Sequence, residues 1–164
     1  MLREMRTQLR LLLGLLALLA LVFSPARASA EVSIGPHLGI NFDWDEPVIG
    51  GEVRADLAQL SPSVQLQIDP TLSLAFPGDG TIFDLSVNLP FQFTINDSVL
   101  RPYVAPGLAF LHWSGHRGSD SNLFLNLIGG LLFDLGSVDP FVQLKVMIPH
   151  GSLVELLGGV LFRV

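Results

Sequence analysis

The sequence predicts an all-β fold, an eight-stranded antiparallel up-and-down barrel whose strands cross a membrane. Three observations predict it. Segments in which every second side chain is apolar occur eight times, aromatic side chains lie near the ends of these segments, and the polar positions between them carry few charges. An alternation with a period of two places apolar side chains on one face of a strand and polar side chains on the other.

The first 30 residues differ from the rest of the chain in composition. Three arginines precede an apolar run from Leu11 to Phe23, which is followed by the small-residue motif Ala28-Ser29-Ala30. The run is short for a membrane-spanning helix, which takes about 20 residues, and the motif is typical of a signal-peptide cleavage site. We therefore predict a cleaved secretory signal peptide over residues 1–30 and a barrel domain over residues 31–164. An uncleaved N-terminal anchor is the alternative.

The composition limits the classes of function. The chain has 15 acidic and 9 basic residues, a net charge of −6, and no cysteine. An acidic chain without a basic patch does not suit nucleic acid, so we predict no such partner. The lack of cysteine argues against a disulfide-stapled miniprotein. Beyond the N-terminal segment no apolar stretch has the length of a spanning helix, so a position in a membrane requires strands.

Eight alternating segments follow one another, separated by short stretches of turn-forming residues. The clearest reads TIFDLSVNLPFQFTI over residues 81–95. Turn-forming residues between alternating segments make consecutive strands antiparallel neighbours. Because proline lacks the N–H donor of the strand ladder, we expect β-bulges at Pro70, Pro90 and Pro106. The eight segments cover residues 32–42, 48–57, 63–76, 81–95, 99–113, 123–133, 141–148 and 153–164.

The apolar face of these strands is predicted to contact lipid. The exposed face of a soluble barrel would be about 25–35% charged, whereas the polar positions here hold mainly Gly, Ser, Asn, Gln and Ala. The strands also have the length of tilted spanning strands, about 9–11 residues. Aromatic residues near strand ends predict two girdles at the membrane–water boundaries. One level contains Phe42, Trp44, Phe76, Phe83, Phe110, Trp113 and Phe124, and the other contains Phe91, Phe93, Tyr103, Phe133, Phe141 and Phe162.

The inward positions are predicted to form a packed interior that contains charges. Eight strands leave an interior that side chains can fill, so we expect no open pore. Because buried charges must be paired, we expect a structural network, with Lys145 and Glu155 as cross-strand partners. A narrow channel or small-solute transport path is the alternative. The inward charges are Glu52, Arg54, Asp56, Asp69, Asp84, Arg101, Lys145, Glu155 and Arg163.

The loops that are predicted to face the cell exterior contain Trp44, Gly78, His116 and Gly151, if the chain enters the barrel from the periplasm. All four are short. The acidic stretch DWDE at residues 43–46 offers carboxylates, but an exposed acidic loop is more often solvated than metal-bound. No dense ligand cluster and no Gly-rich phosphate loop occurs. We therefore predict no metal, no cofactor and no cofactor-binding residue.

Two motifs resemble those of small bacterial outer-membrane barrels. The chain ends in GGVLFRV, where Val160, Phe162 and Val164 alternate as in the C-terminal signal that the barrel-insertion machinery recognises, with Val164 in place of the usual aromatic residue. The stretch RPYVAPGLAF is similar to a strand of OmpA-, OmpX- and OmpW-like barrels. The resemblance implies an outer-membrane location, contact with membrane lipid and lipopolysaccharide, and the insertion machinery as a partner during biogenesis. It specifies an architecture, from which we predict a structural or surface-interaction role.

One fragment, FLHWSGH, contains a catalytic-looking pair. His112 and Ser114 share a strand face, and a histidine beside a serine is the minimum of an activated nucleophile. The fragment is similar to the His-x-Ser motif of outer-membrane lipid A deacylases, which are also eight-stranded barrels. A third, orienting group has no clear counterpart; Asn126 and Asp120 are the candidates. We predict that His112 belongs to the girdle and Ser114 begins a loop, so no catalytic residue is assigned, with a deacylase as the alternative.

Overall fold

The computed structural model describes residues 31–78, 80–115, 118–148 and 153–164. The predicted signal peptide, residues 1–30, lies outside the described residues. Within them, the strands form one antiparallel sheet in the order β2-β1-β9-β8-β7-β6-β4-β3-β5, which closes through the β2–β3 pairing. The strands are β1 Val32–Asn41, β2 Glu46–Ser61, β3 Val64–Ala75, β4 Gly80–Asn88, β5 Phe91–Phe93, β6 Leu100–Gly115, β7 Gly118–Phe133, β8 Val138–Ile148 and β9 Leu153–Arg163.

β4 and β5 are two parts of one barrel strand, so the sheet is the predicted eight-stranded barrel. Both parts lie between β3 and β6 and keep the same register with each neighbour. Leu89 and Pro90 separate them, yet the Leu89 N–H donates to Pro106 and the Pro90 carbonyl accepts from Gln67, each at 2.9 Å. The described residues contain no helix long and apolar enough to cross a membrane.

The prediction of β-bulges at the three prolines is wrong. Pro70 pairs with Val87 and Pro106 pairs with Leu127, and neither ladder shifts its register there. The fixed φ of proline lies within the range of an extended strand, so Pro70 and Pro106 each cost their ladder one donor and leave the pairing in place. At Pro90 the strand is interrupted, but the register is the same on both sides of the break. Among the described strands, register shifts occur instead on β2, between residues 56 and 61.

The hairpin of β6 and β7 is longer than predicted. The sequence predicts a loop over residues 114–121, but β6 continues to Gly115, β7 begins at Gly118, and these two glycines pair. The Ser, Asp and Asn residues at the start of β7 are common in turns, which explains the prediction. Here cross-strand pairing with β6 overrides that local preference.

Apolar side chains cover the outside of the barrel, as the alternation predicts. Leu38, for example, is 71% exposed, and the adjacent His37 is 2% exposed. This arrangement is the reverse of a soluble protein, in which the exposed face is polar. Exposed apolar side chains on the spanning part of the strands include Ile34, Leu38, Ile49, Leu72, Val104, Leu108, Leu125, Leu127, Val142, Leu144 and Leu156.

The aromatic girdles are only partly as predicted. Among the described residues, six phenylalanines are exposed on the exterior: Phe42, Phe76, Phe93, Phe110, Phe133 and Phe162. Tyr103, Phe124 and Phe141 are instead buried inside the barrel, and Trp44 and Trp113 pack against interior residues. Trp44 lies in the turn between β1 and β2. The other four rings lie on the inward phase of their strands, where large side chains fill the space that eight strands enclose.

Candidate functional site: the barrel interior

The interior is packed in layers along the barrel axis. We call the end that carries Glu31 and Val164 the terminal end, and the opposite end the distal end. An apolar layer lies toward the distal end, formed by Val48, Ala75, Ile82, Ala109, Leu111, Phe124, Met147 and Leu157. A second apolar layer lies toward the terminal end, formed by Tyr103, Ala105, Ile128, Leu132, Phe141 and Leu161. Buried polar and charged side chains fill the space between and beside these layers.

Lys145 is the cation of the central cluster, which consists of Lys145, Asp84, Glu155 and Ser86. Its Nζ forms an ion pair with Asp84, lies 3.7 Å from Glu155 Oε2, and donates to Ser86 Oγ at 3.1 Å. The predicted Lys145–Glu155 pair is confirmed, and the two residues are direct partners in the β8–β9 ladder. The closer partner, Asp84, was missed, because β4 and β8 are not adjacent in the sheet.

Amide and hydroxyl side chains extend this cluster along the barrel wall. The Ser86 hydroxyl donates to Asp84 at 2.7 Å. Asn126 donates to Ser86 at 3.2 Å and to Asn88 at 3.1 Å, and Asn88 donates to Thr71 at 3.1 Å. Burial of a polar group is costly unless it is hydrogen-bonded. The chain of bonds therefore stabilises the interior and leaves few donors free for a passing solute.

Arg54 is the second fully buried cation. It donates to Glu52 at 2.7 Å and lies 3.8 Å from Asp69. Its guanidinium also stacks over Tyr103, 4.6 Å from the ring centroid, as a cation–π contact. The Tyr103 hydroxyl in turn donates to Gln143 at 2.7 Å. Arg54 and the tyrosine ring thus close the interior just above the terminal end.

A group of ion pairs lies at the terminal end, on the side of the barrel formed by β6 to β9 and β1. Arg163 contacts Glu31 at 2.6 Å, Asp134 at 2.5 Å and Asp139 at 2.9 Å, and Arg101 also pairs with Asp134. Burial alone would raise the pKa of Asp134, which lies in the turn between β7 and β8. The hydrogen bond from Arg163 and the charges of both arginines outweigh burial, so the pKa of Asp134 is lower than its usual value.

The structure joins the catalytic-looking residues His112 and Ser114 neither to each other nor to the two candidate orienting groups. His112 Nδ1 lies 2.8 Å from Ser121 Oγ, its cross-strand neighbour on β7, and no hydrogen bond joins it to Ser114 among the described residues. Asn126, considered as an orienting group, is buried on the opposite face of the sheet. Asp120 accepts from the Ser121 N–H and from Asn122. Ser121 could not be recognised from the sequence because its segment has the composition of a loop.

The part of the chain that the structure describes contains no evident metal-binding site. No group of three or more His, Asp or Glu side chains converges there as metal ligands would. The side chains of the acidic turn at Asp43 form hydrogen bonds with the backbone that stabilise this end of the barrel. Asn41 accepts hydrogen bonds from the N–H groups of Asp43 and Trp44, and Asp43 accepts from the Val154 N–H at 2.7 Å.

These features define a class of fold: the small barrel of eight antiparallel strands with an apolar exterior and a packed polar interior, known from outer-membrane proteins. Among solved structures, the chain is similar to the N-terminal β-barrel domain of OprF from Pseudomonas aeruginosa. That match has a TM-score of 0.64 and 18% sequence identity, and it covers 82% of this chain and 97% of that one. The predicted resemblance to small outer-membrane barrels is thereby confirmed at the level of the fold.

Two further structures extend the comparison. Ail, the attachment invasion locus protein of Yersinia pestis, has a TM-score of 0.58 and 17% identity, covering 82% of this chain and 97% of that one. The outer membrane enzyme PagL has a TM-score of 0.54 and 14% identity, covering 79% of this chain and 97% of that one. No family model and no curated protein matches the sequence. The fold therefore hosts both an enzyme and a protein named for attachment, and function must be argued from the site.

Proposed function

We propose that the protein is a barrel of the bacterial outer membrane with a structural or surface-interaction role, a sealed interior and no enzymatic activity. After removal of residues 1–30 as a signal peptide, residues 31–164 enter the membrane through the barrel-insertion machinery. The apolar exterior then contacts membrane lipid, and the distal end contacts lipopolysaccharide. Ail, which shares the fold, has been crystallised with the heparin analogue sucrose octasulfate, and this supports a surface-interaction role for a barrel of this size.

The observation that carries the proposal is the closed interior. Lys145 and Arg54 are each only 2% exposed, and both lie among carboxylates rather than along an open path. An ion that crossed the barrel would have to break these pairs and pass an apolar layer on either side. Since removing a partner from a buried ion pair is strongly unfavourable, the interior supports a structural role over transport.

Cell fractionation and planar-bilayer recordings test the proposal. We expect the protein in the outer-membrane fraction, extracted only with detergent. After reconstitution, confirmed by protease protection of the inserted barrel, we expect no conductance above background. Soluble monomer in the periplasm would contradict the membrane assignment, and stable conductance steps would favour the narrow-channel alternative.

A second candidate function is hydrolysis of a lipid ester at the exterior rim of the barrel. The observation that favours it is the 2.8 Å contact between His112 Nδ1 and Ser121 Oγ. In such a reaction the imidazole would take the serine proton as the serine oxygen attacks the ester carbonyl, and the imidazolium would then protonate the alcohol that leaves as the ester bond breaks. Water would next hydrolyse the acyl-serine, which releases the fatty acid and restores the serine hydroxyl. The pair has no carboxylate that orients the imidazole among the described residues, which favours the non-enzymatic role.

Mass spectrometry of lipid A after incubation with the purified protein separates the two candidates. We expect unchanged lipid A. Loss of an acyl chain that disappears in Ser121→Ala but persists in Ser114→Ala would establish hydrolysis by the cross-strand pair. The opposite pattern would restore the His112–Ser114 motif as the catalytic pair.

A further inference from the structure

Glu31 lies opposite Asp56 at the terminal end of the barrel. The Asp56 N–H donates to the Glu31 carbonyl at 3.1 Å, which continues by one residue the β1–β2 ladder that begins with Val32 and Ala55. Residues directly opposite each other in a ladder have their side chains on the same face of the sheet. Both residues line the same polar cavity inside the terminal end, so the ladder places two carboxylates side by side there.

Only one of these two carboxylates has a cation beside it. Glu31 pairs with Arg163 at 2.6 Å. Asp56 accepts a hydrogen bond from Gln67 at 2.8 Å, but among the described residues no cation lies within ion-pair distance of it. Like charges directly opposite each other in an antiparallel pair destabilise the pairing. The first rung of the ladder therefore contains a carboxylate, that of Asp56, without a counter-ion.

The arginines around the cavity are engaged with other carboxylates. Arg54 pairs with Glu52 at 2.7 Å, and Arg101 pairs with Asp134. The charges on the cavity wall are balanced in number: Arg54, Arg101 and Arg163 against Glu31, Asp56 and Asp139. Asp56 is unpaired because of where the arginines lie, so its counter-ion has to be a group held next to it by the backbone.

We propose that the α-ammonium group that cleavage creates on Glu31 is the counter-ion of Asp56, and that processing of the chain thereby strengthens the pairing of β1 with β2. This role rests on the removal of residues 1–30, which is part of the proposed function. The N–H and C=O groups of one residue in an antiparallel ladder point to the same neighbouring strand. Since the Glu31 carbonyl accepts from Asp56, the Glu31 nitrogen also points toward that residue.

Cleavage changes the charge of this nitrogen. In the uncleaved chain it is a neutral amide nitrogen. Hydrolysis of the Ala30–Glu31 peptide bond consumes one water and leaves a carboxylate on Ala30 and an amine on Glu31. An α-amine is mostly protonated at neutral pH. The backbone positions the new cation in advance, so the pair needs neither a binding pocket nor a ligand from solution.

The pKa of the α-amino group tests this pairing in a chain that begins at Glu31, released from a removable tag and refolded in detergent. The single lysine of residues 31–164, Lys145, is 2% exposed, so reductive ¹³C-methylation of the folded protein labels the α-amino group selectively. We expect its pKa, followed by NMR, to be higher in the folded protein than in the same chain in urea, because a nearby carboxylate favours the charged form. Asp56→Asn should abolish most of the rise. Asp45→Asn, which removes the same charge at the distal end, should preserve it.

Acetylation of the α-amino group gives a second measurement. It removes the charge and should lower the urea midpoint of unfolding by about 0.1–0.5 M, the effect of losing one partly exposed ion pair. In Asp56→Asn, acetylation should leave the midpoint unchanged, because the pair is already absent. An equal loss in the wild type and in Asp56→Asn, or an α-amino pKa that folding does not raise, would overturn the proposal.

If Asp56→Asn does not fold, a wild-type chain with one additional glycine before Glu31 takes its place. The glycine moves the ammonium group by about 3.3 Å and should remove the rise in pKa on folding, whereas a rise as large as before would overturn the pairing. The mass of the protein isolated from outer membranes tests the processing step separately. A mature chain that begins at another residue would overturn the role of cleavage, and an unshifted pKa in the refolded chain would overturn the ion pair alone.

Discussion

Lys145 is the residue whose removal tests the interior most directly. Its Nζ contacts both Asp84 and Glu155, so Lys145→Met leaves two buried carboxylates without their cation. Breaking a buried ion pair costs about 3–5 kcal/mol because the remaining charge stays desolvated. With a urea m-value of about 2 kcal/mol per M, the midpoint of unfolding should fall by about 1.5–2.5 M.

The assay is urea unfolding of the protein in lipid vesicles, followed by the fluorescence of Trp44 and Trp113. A second change separates the loss of charge pairing from a loss of packing. Adding Asp84→Asn to Lys145→Met should recover part of the stability, because an asparagine is neutral and can still accept from Ser86. Adding Glu155→Gln instead should recover less, because Glu155 lies farther from Nζ.

Arg101→Met is the control for this experiment. It removes a cation from the partly exposed group of ion pairs at the terminal end, where an ion pair contributes about 0–1 kcal/mol. If Lys145→Met cost no more than this control, the buried pairs would not hold the interior together. If the loss of stability in the double variant equalled the sum of the losses in Asp84→Asn and Lys145→Met, Lys145 would not be the counter-ion of Asp84.

Three further predictions concern packing, the exterior and pH. Gly130→Ala should destabilise by about 1–3 kcal/mol because the new Cβ would lie 2.3 Å from the Tyr103 ring, whereas Gly129→Ala, with no atom within 4 Å, should be nearly neutral in the same unfolding assay. Val87→Arg should cost about 2–4 kcal/mol in vesicles if its face contacts lipid, and a value near that of Val87→Leu would contradict this. The stabilisation from Asp134 should be present above its usual pKa of 3.8 and be lost as pH falls below it, since folding lowers that pKa; an acid-unfolding curve unchanged by Asp134→Asn would argue against the contribution.

The number of strands, and the face of the sheet on which each side chain lies, could be predicted from the sequence because both depend on local periodicity. The alternation from Phe83 to Phe93 assigns every side chain to a face, and one error of register would invert them all. The Lys145–Glu155 pair was predictable for a similar reason, since a short turn places the two strands side by side. These features need no knowledge of which strands face each other across the interior.

Contacts across the barrel could not be obtained in this way. Asp84 reaches Lys145 because the closed sheet brings β4 opposite β8, and that depends on barrel diameter and strand tilt rather than on sequence spacing. The alternation places Phe124 and Phe141 among the inward positions, which agrees with their burial. Their place near strand ends is equally typical of a girdle, and for this reason they were assigned to the girdles. Ser121 was not predicted as the partner of His112 because its neighbours Asp120 and Asn122 are common in turns, so the segment was predicted to be a loop.

The pairing of β1 with β9 has a consequence for how the protein assembles. The two strands are the most distant in sequence, and their ladder runs from Ser33–Arg163 to Asn41–Glu155. Until they meet, the sheet has two open edges that can pair with another chain, and pairing over so long a sequence separation is intrinsically slow. The Val164 N–H donates to Val32 at 2.9 Å, and Arg163 contacts Glu31. Arg163 and Val164 therefore stabilise the closed pairing of β1 with β9. Deleting these two residues should prolong the lifetime of open, aggregation-prone intermediates more than it lowers the stability of the closed barrel.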